Sequence, residues 1–188
     1  MPKKRGPLDI VQVGDPVLRR RARPLALDEL ASPQIQKLID DMRETMRAAP
    51  GVGLAAPQVG ESIQLVVIED ARDAEVPFQV LVNPTLTVRG DGVVAAFEGC
   101  LSFAGFSMIV PRARKVRVEA LDEHGKRVVQ VATGWYARIL QHEVDHLHGI
   151  VCCDRMESRT LTTNANFSAH WHDKSVDEVR ASVALVED

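Results

Sequence analysis

The stretch QHEVDHLHG, residues 141–149, constrains this chain more than any other. An α-helix turns about 100° per residue, so side chains four apart lie one turn apart and about 40° out of line. His142 and His146 can therefore aim two imidazoles at one point beside a helix, while Glu143 reaches a water held there. Such a helix must be buried, because a metal site open to bulk solvent does not hold its geometry. Tyr136, Ile139, Leu140, Val144 and Leu147 supply the apolar flanks. His148 points off the shared face and reads as solvated, and His170 and His172 lack a ligand context. An open metal site takes three protein donors and leaves a position for water. Zincin proteases draw the third from downstream, where Asp154, Glu157, His170 and His172 stand in no distinctive setting. Upstream, EGCLSF (98–103) carries Cys100 after a glycine, either as the third ligand or as an inert buried thiol.

Composition narrows the rest. A chain of 188 residues with 45% hydrophobic content fits one domain around one core. The net charge of −3 gives no bulk attraction for nucleic acid or an anionic membrane. The basic clusters Lys3–Arg5 and Arg19–Arg23 read as a solvated tail and loop. No window approaches the roughly 18 apolar residues of a bilayer span, and the N-terminus lacks a signal-peptide core. Three cysteines, an odd number, point to a reducing compartment and a cytoplasmic location.

The elements expected are α+β: antiparallel or mixed sheets packed around the metal-binding helix, with an N-terminal helix and a short C-terminal helix. Residues 1–31 read as extended chain and turns. Ser32-Pro33 opens a helix whose apolar face is Ile35, Leu38, Ile39, Met42 and Met46, ending before Pro50. GVGLAAPQVG (51–60) reads as a loop, and four separate strands follow at 63–69, 78–84, 85–89 and 93–99. KVRVEALD and KRVVQVAT form a hairpin around Glu123-His124-Gly125. The metal-binding helix runs from Thr133 or Gly134 to His148, with Gly149 as its stop. The chain divides into a core of about 8–157 and an extension, 158–188, that is irregular until a capping box (Ser175, Glu178) starts the last helix.

Three segments in order, GVGLAAPQ (51–58), EGCLS (98–102) and QHEVDHLHG (141–149), resemble the peptide deformylases, and the likeness covers about residues 8–157. It implies a metal held by Cys100, His142 and His146, with Glu143 as general acid/base and Gln58 beside the formyl group. It implies hydrolysis of the N-formyl group from the methionine that starts nascent chains, with N-formylmethionyl peptides as substrates and formate as product. Such an enzyme could dock on the ribosome. The family favours Fe²⁺, with Zn²⁺, Ni²⁺ or Co²⁺ also accepted, and the donor set does not decide among them.

The chemistry follows from the residues. A bound cation lowers the pKa of its water from about 15.7 towards 7, so hydroxide is available at neutral pH. Its attack on the formyl carbon creates an oxyanion, which the Gln58 amide and the Leu101 backbone N–H can meet. Glu143 takes the water's proton and returns it to the departing amine. Gly51 and Gly53 suit a segment lying close to a substrate backbone, and the peptide would add as a strand along Val52–Leu54. Val52, Leu101 and Ile139 are candidates for the methionine pocket. The competing reading is a zincin-type endopeptidase, which needs a third ligand beyond His146.

The resemblance breaks in places. Many bacterial members continue the cysteine motif as Val-Pro or Ile-Pro and place an arginine a few residues on; here stand Phe103-Ala104 and Ser107. The Ala104-Gly105 step and SRTLTTNANFSAHW (158–171) are more similar to the mitochondrial-type branch. Cys152-Cys153 replace a bulkier apolar pair and read as core, and Asp145 either pairs with an arginine such as Arg112 or is solvated.

Overall fold

The computed structural model describes residues 7–74 and 76–184, so the Lys3–Arg5 cluster lies outside the described residues. After a 3-10 turn at Pro16–Arg19 come α1 (Leu27–Leu30) and α2 (Pro33–Ala48). The strands are β1 (Gly53–Ala55), β2 (Leu65–Ile68), β3 (Gln79–Val88), β4 (Val93–Cys100), β5 (Phe103–Ala113), β6 (Lys115–Leu121) and β7 (Arg127–Thr133). Helix α3 (Gly134–Leu147) comes next, then β8 (Thr162–Thr163), α4 (Asn164–Asn166) and α5 (Val176–Ser182). Two antiparallel sheets result, in the orders β1-β2-β3-β6-β7 and β4-β5-β8. The α+β expectation holds, and α3 is the central helix, packed against strands of both sheets.

Two cores flank the larger sheet. Strand β2 is buried on both faces: Val66 and Ile68 meet Ile139, Leu140 and Leu147 of α3, whereas Leu65 and Val67 join Ile39, Met42 and Met46 of α2. That division is the period-two alternation of a strand between two helices. Each fully buried Leu, Ile or Met contributes about 1.5–3 kcal/mol. The capping reading of α2 is correct, since Ser32 Oγ accepts from the Ile35 N–H and Pro33 stands at the first helical position. Gly149, at φ +75°, succeeds the last turn of α3 in the left-handed conformation that ends helices.

Four expectations need correction. The segment at 51–60 is not all loop, because residues 53–55 pair with β2. Residues 78–84 and 85–89 are one strand with a register shift between Val82 and Thr85. There Asn83 takes φ +51°, and its side chain both accepts from the Leu25 N–H and donates to the Leu25 carbonyl, each at 2.8 Å. The stretch after residue 157 is not irregular until the last helix: β8 extends the smaller sheet, and Phe167 packs edge-on against Phe97 at 4.8 Å. Residues 1–31 include, within their described part, the two short helical turns above.

Candidate metal centre

Cys100 closes β4, and His142 and His146 lie one turn apart on α3. One ligand atom from each falls within 4.8 Å of the others, and Cys100 Sγ lies 3.4 Å from His146 Nε2. No downstream residue joins this group among the described residues. His148 is exposed, as expected, and His170 and His172 are exposed as well. A thiol and two imidazoles, of which His146 is buried and Cys100 and His142 are partly buried, form a donor set for a divalent transition metal. Burial pushes His146 well below the ordinary imidazole range, so the ring is neutral, with a lone pair to give. A hydrogen bond with Cys152 and burial raise the Cys100 thiol, and a neighbouring cation is what would draw off its proton.

Glu98 lies two residues before Cys100, on the same face of β4. Its Oε2 lies 3.0 Å from His142 Nδ1, which leaves Nε2 of that ring for a metal. The same carboxylate accepts from Arg112 Nε at 2.9 Å and Arg138 Nη1 at 2.6 Å. Burial alone would raise Glu98, but His142 and Arg112 outweigh it and hold the carboxyl at about 2. Arg112 also pairs with Asp145, which Arg155 holds from the other side at 2.6 Å, so Asp145 is paired rather than solvated. The sequence reading gave Glu98 and Arg138 no role, although the two-residue spacing to Cys100 was the available signal. Cys152 is core, as read, but Cys153 is half-buried beside Arg19.

Glu143 is 4% exposed, and its Oε2 has no hydrogen-bond partner. Burial pushes its carboxyl up to about 7, the range suited to passing a proton both ways near neutrality. Gln58 is fixed by accepting from the Ala55 N–H at 2.8 Å, and its Nε2 faces Ser102 Oγ at 3.3 Å and Cys100 Sγ at 3.7 Å. A cleft of about 400 Å³ opens over these groups, lined also by Gly51, Val52, Gly53, Leu101 and Ile139. Leu54 does not line it; its side chain is buried in the α2 core. Both glycines are also constrained from within the protein. A Cβ on Gly53 would lie 2.6 Å from Glu143 Cδ, and one on Gly51 would lie 2.8 Å from Leu101 Cδ1. Arg72 and Trp135, both at the cleft and both hydrogen-bonded to Asp70, were not singled out from the sequence.

A thiol from a strand and an HExxH pair from a buried helix form a candidate metal site of the metal-dependent hydrolase class, in which the thiol lies upstream of the helix, unlike the third ligand of the zincins. The family profile of polypeptide deformylase matches residues 7–161, and the chain belongs to that family. It is 46% identical to peptide deformylase 3 of Streptomyces avermitilis, over 96% of this chain and 84% of that one. It is 42% identical to the human mitochondrial peptide deformylase, over 81% and 69% respectively. The fold is similar to that of an Acinetobacter baumannii class I type b peptide deformylase solved with Met-Ala-Ser, with a TM-score of 0.75. That likeness has 35% identity and covers 81% of this chain and 100% of that one. With the family comes its reaction, removal of the N-formyl group from nascent peptides by a metal-dependent amidohydrolase, and the endopeptidase reading is set aside.

Proposed function

We propose that Cys100, His142 and His146 hold a single divalent cation, ferrous iron ahead of zinc, nickel or cobalt, and that Glu143, Gln58 and Leu101 carry deformylation around it. The observation that carries this reading is the convergence of three donor atoms within 4.8 Å beside a buried, unpartnered carboxylate oxygen. When bound, the cation supplies Lewis acidity and a water acidified towards a pKa of about 7. Glu143 receives the proton of the attacking water and passes it to the departing amine. Gln58 Nε2 and the Leu101 N–H donate to the formyl oxygen as it gains charge, and loss of either donor costs about 10²–10³ in rate. The peptide runs along the edge of β1 from Gly51 to Leu54, through main-chain bonds at Leu54 rather than its side chain. Val52, Leu101 and Ile139 receive the methionine side chain. The Met-Ala-Ser held by the A. baumannii relative supports reading this cleft as a peptide site.

The unit of function is the chain 1–188 as one domain, acting in the cytoplasm on formylmethionyl chains as they emerge, with the ribosome as a docking partner. The test is anaerobic purification with metal analysis and a formate-release assay on formyl-Met-Ala-Ser from the same sample. Glu143→Ala should keep the metal and lose at least about 10² in turnover; Cys100→Ala should lose the metal. Full metal content and activity in the Cys100 variant would refute the coordination, and cleavage of an unformylated longer peptide would restore the endopeptidase reading.

A further inference from the structure

One residue after 161, Asn164, beyond the stretch matched by the family profile, lines the cleft. Strand β8 pairs with β5 through Phe106↔Thr163 and Ser107↔Thr162, and the next residue, Asn164, lines the cleft beside Gly105, Phe106 and Ser107. Ser107 Oγ donates to Asn164 Oδ1 at 2.8 Å. That bond occupies the amide's acceptor and fixes its orientation, leaving Nδ2 without a protein acceptor among the described residues. The segment is anchored on both sides of Asn164. Thr160 Oγ1 accepts from the Ile109 N–H at 2.9 Å, Phe167 packs on Phe97, and Arg180 of α5 bonds Glu157 through Nε at 2.9 Å.

We infer that Asn164, oriented by Ser107, donates a hydrogen bond to a main-chain carbonyl of the substrate beyond its first residue. The inference rests on the proposed deformylase reading of the cleft. Ser107 lies opposite Gly99, one strand spacing of about 5 Å from the strand that ends at Cys100. Extended chain advances about 3.3–3.6 Å per residue, and Asn164 and Cys100 line the same cleft, so the contact is assigned to the second residue rather than the first. A neutral amide makes no ion pair with a terminal carboxylate. This contact therefore holds a formylated tripeptide and its C-terminal amide alike, and it serves any sequence of growing chain.

The test compares kcat and KM of the metal-loaded full chain on formylmethionine amide and on formyl-Met-Ala-Ser amide. Asn164→Ala should raise KM for the longer substrate about three- to tenfold, the ratio for one neutral hydrogen bond, with kcat held. The KM for formylmethionine amide should move less than about twofold. Asn164→Asp, which keeps the size and withdraws the donor, should repeat the result, and Ser107→Ala should shift the same KM by less. Asn166→Ala, exposed at the end of α4 and off the cleft lining, serves as control with matching thermal melts. Equal shifts on both substrates, or none, in a folded and active Asn164 variant would overturn the inference. A wild-type protein that releases no formate from either substrate would overturn the deformylase reading with it, a distinct result.

Discussion

A single methyl group added at Gly53 would occupy the space now held by the Glu143 carboxylate. Gly53→Ala should therefore displace the carboxylate and cost about 1–3 kcal/mol of stability, as overpacking does. Formate release should fall at unchanged metal content, and a crystal structure should show Glu143 moved. Glu98 acts at the same scale through its partners. Glu98→Gln should weaken metal affinity about 10–100-fold, as loss of a ligand's supporting hydrogen bond does. It also leaves Arg112 and Arg138 buried with less compensation, a destabilisation of up to about 3–5 kcal/mol. Competition with a metal chelator and a denaturant melt separate the two effects. The placing of His142 and His146 one turn apart was legible in the sequence because helical spacing is rigid. The side chain of Leu54 sits in the α2 core, because one-residue alternation in β1 sends it to the opposite face from the cleft, and only its main chain is left for the proposed pairing.

Helices α2 and α3 and the β6–β7 hairpin were readable from local signals: caps, a 3.6-residue period, and a turn whose Asp122 accepts from the His124 and Lys126 N–H groups. Strand β5 escaped because Gly105 and Pro111 interrupt it and its buried residues Met108–Val110 run consecutively rather than alternating. The bulge in β3 was read as a break, since Asn83-Pro84 is also a turn signal. Only the distant Leu25 backbone shows that the strand continues through it. Asn83→Ala loses both bonds and keeps the positive φ, so it should destabilise by about 1–3 kcal/mol, measured by urea unfolding. Strand β8 had no local signature at all, because its pairing partner lies more than fifty residues upstream.

Across the molecule, loop and helix are joined at the mouth of the cleft by Asp70, whose side chain is 4% exposed. The Arg72 guanidinium, and after it the Trp135 indole, hold its carboxyl at about 2, below the ordinary 3.8. A carboxyl depressed in the folded state stabilises the fold fully above about pH 4, and that contribution drains away as pH falls through about 2. Asp70→Asn should therefore be less stable than wild type near neutrality, and the gap in Tm should close on acidification to about pH 2. A gap that stays constant down the acid limb would contradict a role for the Asp70 charge.

Strand β1 stands at the rim of its sheet, with β2 on one side only. A partner laid along such a border is gauged by its spine, whose amide spacing is common to every sequence. Under the proposed pairing, discrimination falls on the opening residue alone, and the remainder of the chain is admitted unread. That is the economy an enzyme needs when its clientele is every protein a ribosome begins.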